Sequence, residues 1–448
     1  MRLKPKDGML LDKSVQLEPG TYVLPSGIRI AKSGIEIGAE GVTLIGDSRK
    51  GVGVSLKDLE GVVLRGLSLR EYYYGVSAES CHSLTIERCS ITSTAELPPN
   101  TEFLDIWLPA ERAYGGGIRL INCEDCEIRE NDLQHQMCGL LTYYCKNLSV
   151  RRNQCNYNSG FGIHLYATCD SVFSENSCDY CCRFEPREGG LHYGHMGADS
   201  TGFLIVYNSC RNKFLRNTAR MGGDGFFLAG LSPNFEPCGC DENLFEENDA
   251  SLSPNIAFEG TFSKGNIYRK NYADRCNYGF WCGYSRDFVI EENRMLFNRQ
   301  AGIAVENGVG FIVRGNTFQS NGHGILLWSR YHEEFLKSYP DRDTSRDWEI
   351  VKNKFYRNGI GIRIAANQDH GIRNLPEEAS APPHLYPHSH RIIENDIQDN
   401  GIGIELYRTS RNIIKGNILN KNVEANLRLD DAEDNEIVNN LGSRGAYL

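Results

Sequence analysis

The chain has 448 residues, with 46 glycines, 16 cysteines, 15 prolines and a formal net charge of −10. This length alone would suggest two or three domains. Glycine is above its usual share and proline below it, without a Gly-X-Y period, which excludes collagen and a proline-rich linker. With 40% hydrophobic residues the chain is not disordered by composition. Without a basic block or a long apolar run, we expect neither a nucleic-acid partner nor a membrane.

The N-terminal residues and the cysteines indicate the compartment. No apolar segment follows the basic residues of Met1–Gly8, so no secretory signal is predicted in this chain. Cysteines such as Cys169 and Cys282 stand within hydrophobic segments. This placement favours buried thiols in a reducing compartment over a disulfide framework, and we expect a cytoplasmic protein. Two Cys-x-x-Cys pairs lack the partner spacing of a zinc site, so neither a metal nor another cofactor is predicted.

A short motif that ends in asparagine recurs along the chain. Its asparagines are Asn131, Asn153, Asn176, Asn217, Asn248, Asn271, Asn293, Asn316, Asn353, Asn395, Asn417 and Asn439. Seven of the eleven intervals are 22 or 23 residues, and the other four fit one period plus an insertion. Such a period indicates stacked units that bury a common core. Asparagine tolerates left-handed backbone at a turn, and its amide is expected to bond the next asparagine along the stack.

A second motif, glycine followed by alternating apolar residues, keeps phase with the first. It begins at Gly117, Gly162, Gly225, Gly279, Gly302, Gly324, Gly361 and Gly403. Alternation over four to six residues predicts a short strand in each unit. A leucine-rich repeat has a similar period, but it requires a helix where this chain has β-branched strands and turn residues.

These repeats resemble those of right-handed parallel β-helix proteins, the architecture of pectate lyases, polygalacturonases and alginate C5-epimerases. The resemblance covers residues 50–445, approximately. It implies an all-β fold, a single-stranded right-handed parallel β-helix with about 22 residues per rung and about thirteen or fourteen rungs. Residues 1–50 are predicted to form an N-terminal cap and the first rungs, and residues 51–448 the β-helix.

Five insertions interrupt the period, at residues 91–115, 179–200, 230–240, 329–348 and 366–389. The first two precede the glycine-motif strand and the other three follow it, so all five are expected beside one face. Long loops in a compact repeat are usually functional, which predicts a cleft over this face. Loops that only cover edges or contact a second subunit are the alternative, and the sequence leaves a homo-oligomer open.

Outward side chains of this face are predicted to form an aromatic and acidic strip. One register position holds Arg119, Leu141, His164, Ile205, Phe227, Glu259, Trp281, Ala304, Leu326, Arg363 and Glu405. Two residues further on stand Ile121, Tyr143, Tyr166, Tyr207, Thr261, Gly283, Glu306, Trp328 and Tyr407. Aromatic rings stack on the C–H faces of sugars while carboxylates and arginines bind hydroxyls, so an oligo- or polysaccharide is the expected substrate. Tyrosines that merely stabilise neighbouring strands are the alternative.

Four carboxylates are candidates for catalysis: Asp224 and Glu259 as the leading pair, with Asp199 and Glu306 in reserve. Asp224 and Glu259 are expected on neighbouring rungs about 5–10 Å apart, the range in which glycosidases pair an acid with a base or nucleophile. Burial beside a second carboxylate would raise the pKa of one of them, as a general acid requires. The predicted substrate-binding residues are Trp281, Trp328, Tyr143, Tyr166, Tyr207, His164, His195, Arg286 and Arg330.

Three functions are consistent with this pattern. The leading hypothesis is an enzyme that cleaves or transfers a glycosidic bond, a glycoside hydrolase or glycosyl-transferring enzyme. The second is a lyase or C5-epimerase acting on uronate polymers, with arginine, lysine or tyrosine as base, although the negative net charge disfavours polyuronates. The third is a carbohydrate-binding β-helix without catalysis.

Overall fold

A computed structural model describes residues 2–97, 101, 104–185, 195–196, 200–366 and 381–442, with backbone only for 184–185 and 195–196. The chain divides into two compact units, Met1–Phe227 and Leu228–Leu448. Within the described residues, no helix is long and apolar enough to cross a membrane. Each unit is built from short parallel strands that stack coil upon coil, which is a parallel β-helix.

Sheet 1 contains the strands of the glycine motif. In the first unit these are Met9–Leu11, Ile28–Ile30, Val52–Lys57, Tyr74–Glu79, Gly116–Ile121, Cys138–Tyr143, Phe161–Tyr166 and Thr201–Val206. The strand Asp224–Ala229 contains the boundary between the units. In the second unit they are Ile256–Thr261, Tyr278–Trp281, Ala301–Glu306, His323–Ser329, Ile360–Ala366, Ile402–Tyr407 and Ala425–Asp430. These sixteen described strands exceed the expected thirteen or fourteen rungs, because residues 1–50 contribute strands of their own.

Sheet 2 contains the strands that precede the asparagine turns. In the first unit these are Arg2–Leu3, Val15–Leu17, Gly20–Val23, Glu36–Ile45, Val63–Arg70, Thr85–Glu87, Ser90–Ile91, Glu127–Arg129, Ser149–Arg151, Val172–Ser174 and Lys213–Leu215. In the second they are Leu244–Glu246, Ile267–Arg269, Val289–Glu291, Ile312–Arg314, Glu349–Val351, Arg391–Ile393, Ile413–Lys415 and Glu436–Val438. Both motifs of the sequence therefore correspond to strands, one on each of two sheets.

Sheet 3 is formed in the second unit by strands that directly follow the asparagine turns. Its strands are Arg294–Leu296, Thr317–Gln319, Lys354–Tyr356, Asp396–Gln398 and Ile418–Asn420. The remaining described elements lie in the insertions: a helix Glu333–Ser338, 3-10 turns at Ala110–Arg112 and Pro383–Leu385, and an antiparallel pair Phe184–Glu185 and His195–Met196.

The recurring asparagines form side-chain ladders along the stack. In the first unit the amide of each of Asn131, Asn153 and Asn176 donates to the carboxamide oxygen of the next asparagine at 2.9–3.0 Å. The second-unit ladder runs through Asn248, Asn271, Asn293, Asn316, Asn353, Asn395, Asn417 and Asn440. The expected amide contact is confirmed, and its last member is Asn440 rather than the predicted Asn439. A parallel ladder that the sequence did not reveal stands five residues on, at Asn298, Asn321, Asn358, Asn400 and Asn422.

The backbone reason given for these asparagines was wrong. Left-handed backbone belongs to the residue before each ladder asparagine, such as Arg152 with φ 53° and Lys270 with φ 57°. That residue turns the chain, and the asparagine side chain then faces the interior. Asparagine suits this position because its carboxamide both donates and accepts hydrogen bonds. The turn position accepts charged side chains because they point to solvent.

The glycines of sheet 1 are selected by close approach of neighbouring backbone. A Cβ on Gly162 would lie 2.6 Å from the carbonyl oxygen of Gly202, and one on Gly361 would lie 2.5 Å from that of Gly403. Any larger residue would therefore push adjacent coils apart. This contact explains why the motif keeps its glycine.

All sixteen cysteines are thiols that are not joined in disulfides, and thirteen of them are buried. The prediction of buried thiols rather than a disulfide framework is confirmed. Cys169, Cys182 and Cys210 are the three that are half-buried.

Candidate functional site

In the first unit, two rows of aligned side chains define the outer face of sheet 1. The first row contains Ser55, Ser77, Arg119, Leu141, His164 and Leu204. The second row contains Lys57, Glu79, Ile121, Tyr143, Tyr166 and Val206. Neighbours in each row stand one strand spacing apart, about 4.8 Å.

The sequence register was wrong by one residue at the strand Thr201–Val206. His164 pairs with Leu204 and Tyr166 with Val206, where Ile205 and Tyr207 were expected. The error arises because one extra residue lies between this strand and its asparagine: Leu204 stands thirteen positions before Asn217, whereas His164 stands twelve positions before Asn176. Tyr207 follows the strand in left-handed backbone with φ 53°. Its ring nevertheless stacks on Tyr166, with centroids 4.6 Å apart.

The tyrosine row is covered rather than open to solvent. Tyr143 is 1% exposed, His164 2% and Tyr166 6%. Described residues of the 91–115 insertion pack against this part of the chain: the ring of Tyr114 lies 6.3 Å from that of Phe161. The prediction of a solvent-facing aromatic strip is therefore wrong here: the rings of Tyr143, His164 and Tyr166 pack against one another, and a residue of the insertion lies beside them. Sugar binding by these residues stays a prediction.

His164 is a buried histidine whose ring nitrogens have no hydrogen-bond partner among the described residues. Its ring centroid lies 5.2 Å from that of Tyr143 and 5.5 Å from that of Phe161. Burial lowers the pKa of His164 to about 3, so the imidazole is neutral at neutral pH. A buried polar group without a partner costs stability, which is typical of a side chain kept for function.

This histidine makes the protein sensitive to acid. The folded-state pKa lies below the ordinary 6.5, so the stabilisation is complete above pH 6.5 and is lost as the pH falls towards about 3. We expect His164→Phe to remove about 2 kcal/mol of the stability loss between pH 7 and pH 5. Urea unfolding at both pH values measures this difference. The exposed His82 provides the control: His82→Gln should keep the acid sensitivity, and equal profiles for both variants would contradict the assignment.

Arg119 forms a cationic site on the outer face. The sequence placed Arg119 on this face but did not identify it as a substrate-binding residue. Its guanidinium donates to the Ser77 hydroxyl at 3.0 and 3.2 Å and lies 4.1 Å from the centre of the Tyr74 ring. No carboxylate among the described residues pairs with it. A cavity of about 290 Å³ is lined by Arg49, Lys50, Gly51, Val52, Tyr73, Tyr74 and Arg119. The sequence signal that could have identified this site is a single arginine, Arg119, in an otherwise uncharged stretch of its row.

In the second unit, the outer face of sheet 1 has the same two rows. The first contains Glu259, Trp281, Ala304, Leu326, Arg363, Glu405 and Arg428. The second contains Glu306, Trp328, Ala365, Tyr407 and Asp430. Hydrogen bonds from Phe262 to Gly283 and from Tyr284 to Glu306 extend this row back to Gly283. The register predicted from the sequence holds throughout this unit.

The two tryptophans pack in a buried cluster on this face. Trp281 is 8% exposed and Trp328 is fully buried, and their rings meet edge to face with centroids 5.5 Å apart. The rest of the cluster is Ile256, Tyr278, Ala301, Ala304 and Leu326. The expectation of open indole surfaces is wrong for Trp328, whereas Trp281 keeps a small accessible edge.

Glu306 is the more deeply buried of two buried acids on this face, with 3% exposure against 7% for Glu405. The Trp328 indole N–H donates to its Oε2 at 3.1 Å, and Arg330 Nη1 lies 3.7 Å from its Oε1. A hydrogen bond and a cation both favour the ionised carboxylate. The sequence placed Glu306, Trp328 and Arg330 in separate roles, and the structure brings them together.

Gly283 is buried and has no side chain, which leaves a space of about one methyl group beside Glu306; this space is called the gap below. A Cβ at Gly283 would be in ordinary van der Waals contact with the backbone oxygen and Cβ of Glu306, at 3.7 and 3.8 Å, and with the indole nitrogen of Trp281 at 3.9 Å. Glu259, half-buried, pairs in register with Trp281. The two carboxylates therefore stand two strands apart, with Trp281 and the gap between them.

The other arginines of this face are held by carboxylates. Arg286, predicted to bind substrate, forms salt bridges with Asp287 and Asp341. Further along the first row, Glu405 binds Arg363 at 2.6 Å and Arg428 at 3.1 Å. The charges of these arginines are therefore paired with other carboxylates, and Arg330 is the arginine that lies beside Glu306.

The remaining predicted catalytic residues and His195 belong to the first unit or lie outside the described side chains. Asp224 begins its strand in the first unit, whereas Glu259 belongs to the second unit. Asp224 is 1% exposed, and its N–H donates to the Ser200 carbonyl at 3.0 Å. Asp199 and the side chain of His195 lie outside the described residues. Among the described residues, no group of three or more His, Cys, Asp or Glu is placed to hold a metal ion.

The comparison with protein families identifies the class of this chain. The profile described as right handed beta helix region matches residues 100–248, 236–335 and 342–446. These matches cover more than half of the chain, so the chain belongs to this family. The expectation of an all-β, right-handed parallel β-helix is thereby confirmed.

Comparisons with individual proteins give distant matches. The comparison with curated protein sequences found no match. Among solved structures, the periplasmic alginate epimerase AlgG is 12% identical over 95% of this chain and 79% of its own, with a TM-score of 0.44. The A-module of the Azotobacter vinelandii mannuronan C-5 epimerase AlgE6 is 11% identical over 97% and 91%, with a TM-score of 0.39. PfbA, a surface adhesin of Streptococcus pneumoniae, is 12% identical over 72% and 83%, with a TM-score of 0.42.

Proposed function

We propose that the protein is a carbohydrate-active enzyme that cleaves or transfers a glycosidic bond of an oligo- or polysaccharide. The observation that carries this proposal is the pair Glu259 and Glu306, two strands apart on one face, with Trp281 and the Gly283 gap between them. This pair replaces Asp224 and Glu259 as the leading catalytic carboxylates.

The environments of the two carboxylates suit different roles. Glu306 is buried with the Trp328 N–H and Arg330 against its oxygens, which favours an anion that stabilises positive charge at the anomeric carbon or attacks it. Glu259 is half-buried and in reach of solvent. This position suits a general acid, which donates a proton to the leaving oxygen and must then take up a new proton. The accessible edge of Trp281 lies between them, where it can contact a sugar ring.

A panel of oligo- and polysaccharides incubated with the full chain tests this proposal. We expect new reducing ends, or transfer products, from at least one glycan. Glu259→Gln should lower that activity by about 10²-fold or more, the usual contribution of a general acid. Glu405→Gln is the matched control, because Glu405 stands in the same row but is held by Arg363 and Arg428. Equal activity of the Glu259 and Glu405 variants would overturn the assignment.

A second candidate, a lyase or C5-epimerase acting on uronate polymers, is favoured by one feature of the first unit. Arg119 points its charge into an aromatic cavity without a carboxylate partner, which suits a substrate carboxylate. Neutral His164 and Tyr143, in neighbouring strands, are groups able to exchange a proton next to that carboxylate. Burial raises the pKa of Tyr143, so the phenol keeps its proton.

The products distinguish these chemistries. A lyase gives unsaturated uronates with ultraviolet absorbance, and an epimerase run in heavy water incorporates deuterium at C5. If the wild type forms either product, the Arg119→Ala variant loses it and the Glu306→Gln variant keeps it, the second candidate function is correct and glycosidic cleavage is not. Glycan binding with no product of any kind would overturn both and favour a non-catalytic carbohydrate-binding protein.

A further inference from the structure

Cys169 and Cys210 occupy the same corner position in two neighbouring coils of the first unit. The Cys210 N–H donates to the Cys169 sulfur at 3.4 Å, and the Asp170 N–H donates to the Cys210 carbonyl at 3.1 Å. The two residues therefore stand side by side although 41 positions separate them in sequence.

The corner is held in register by the residues that follow. Arg211 binds Asp170 with two hydrogen bonds, Nε to Oδ1 at 2.7 Å and Nη2 to Oδ2 at 3.0 Å. Neighbouring parallel backbones lie about 4.8 Å apart. A disulfide requires Cα atoms about 4.4–6.8 Å apart, so the backbone spacing already suits one.

Accessibility separates this pair from most other cysteines of the chain. Thirteen of the sixteen are buried, and Cys169, Cys182 and Cys210 are half-buried. Both members of the pair are therefore partly accessible to solvent. Cys182 is an internal comparison, because it has similar exposure at another place in the same unit.

The surroundings of Cys169 favour its thiolate. Hydrogen bonding from the Cys210 side chain, with smaller contributions from the Cys210 backbone and the charge of Arg211, lowers the pKa of Cys169 to about 6. Burial instead raises the pKa of Cys182. The lowered pKa favours the thiolate of Cys169, which is the reactive form.

We propose that Cys169 and Cys210 are a peroxide-sensitive pair that oxidises to a disulfide joining two neighbouring coils. The Cys169 thiolate attacks one oxygen of hydrogen peroxide, breaking the O–O bond and giving a sulfenic acid and hydroxide, which takes a proton to become water. The Cys210 sulfur then attacks the sulfenic sulfur, loses its proton and displaces a second water. Two thiols and one peroxide thus become one disulfide and two waters.

The disulfide would constrain the chain next to the outer face of sheet 1. Tyr166 and Tyr207, whose rings stack at 4.6 Å, each precede one of the two cysteines by three residues. The link closes a loop that contains the insertion 179–200. Loop closure restricts the unfolded chain, so the oxidised protein is expected to melt several degrees higher than the reduced protein.

Peroxide treatment of the full chain, followed by non-reducing peptide mapping, tests the proposal. We expect a Cys169–Cys210 cross-linked peptide in the wild type and in Cys182→Ser, and none in Cys169→Ser. In Cys210→Ser, Cys169 should stop at the sulfenic acid and react with a diketone probe. Iodoacetamide at pH 7 should alkylate Cys169 about tenfold faster than Cys182.

Two results would overturn the proposal. The first is peroxide oxidation that spares Cys169 while modifying Cys182. The second is a Cys169 sulfenic acid in the wild type that never passes to Cys210, because that outcome excludes the disulfide. Circular dichroism of each variant before treatment checks that it is folded.

Discussion

Replacing Asn271 by alanine should lower the free energy of unfolding by about 4 kcal/mol. Its amide donates to the Phe245 carbonyl and to Asn293 Oδ1, both at 2.9 Å. Its own oxygen accepts from the backbone and side chain of Asn248 at 2.9 and 3.0 Å. Asn271 is 1% exposed, so alanine leaves these partners without water to replace the amide. Denaturant unfolding followed by circular dichroism measures the loss.

The matched control is Asn277→Ala in the same coil. The side chain of Asn277 accepts one bond, from Arg299 at 3.0 Å, in an exposed position. We expect this substitution to cost less than about 1 kcal/mol. If the two variants were equally stable, the ladder would contribute little and the account of the fold would fail.

Replacing Glu306 by glutamine should lower turnover by about 10³-fold with little change in KM. Glutamine keeps the shape of the side chain and an oxygen for the Trp328 N–H, but it removes the negative charge. Arg330 would then lose its counter-charge, so activity must be compared at a temperature where thermal melts show both proteins folded. The measurement is the rate of reducing-end formation on the glycan that the panel identifies.

The Glu405→Gln variant controls for charge removal on the same face. Its turnover should match that of the wild type. Wild-type turnover in Glu306→Gln would remove this carboxylate from the chemistry, and an equal loss in both variants would indicate a general effect of charge on the face.

Much of the fold could be predicted from the sequence because its physical causes repeat. Each coil needs a buried amide at the turn and a glycine where backbones approach closely, so Asn271 and Gly302 recur with their neighbours at 22 or 23 residues. The reason for the asparagine could not be read from the pattern, because the left-handed residue beside it varies in type.

The register was predictable only where the period is unbroken. In the second unit the alignment of Glu259 with Trp281, and of Glu306 with Trp328, follows from the count. At Tyr207 the count failed, because the turn after this strand contains one residue more than the corresponding turn of the preceding coil, and a shift of one residue reverses the alternation of the strand.

The site was predictable in composition but not in exposure. The sequence identified Tyr143, His164 and Trp328 as outward residues, and the structure buries all three. Whether an insertion flanks a face or lies on it depends on contacts that no periodicity encodes. Glu306 was ranked below Asp224 for the same reason: its pairing with Arg330 arises from a turn after the next strand.

A crystal structure of the Glu306→Gln variant with the oligosaccharide that the panel identifies tests whether Glu259 and Glu306 flank the bond that is cleaved. We expect a sugar ring in contact with Trp281, at the gap beside Gly283, with a glycosidic oxygen within hydrogen-bond reach of Glu259. A saccharide bound instead in the cavity of Arg119 and Tyr74, with no contact to either carboxylate, would contradict this assignment.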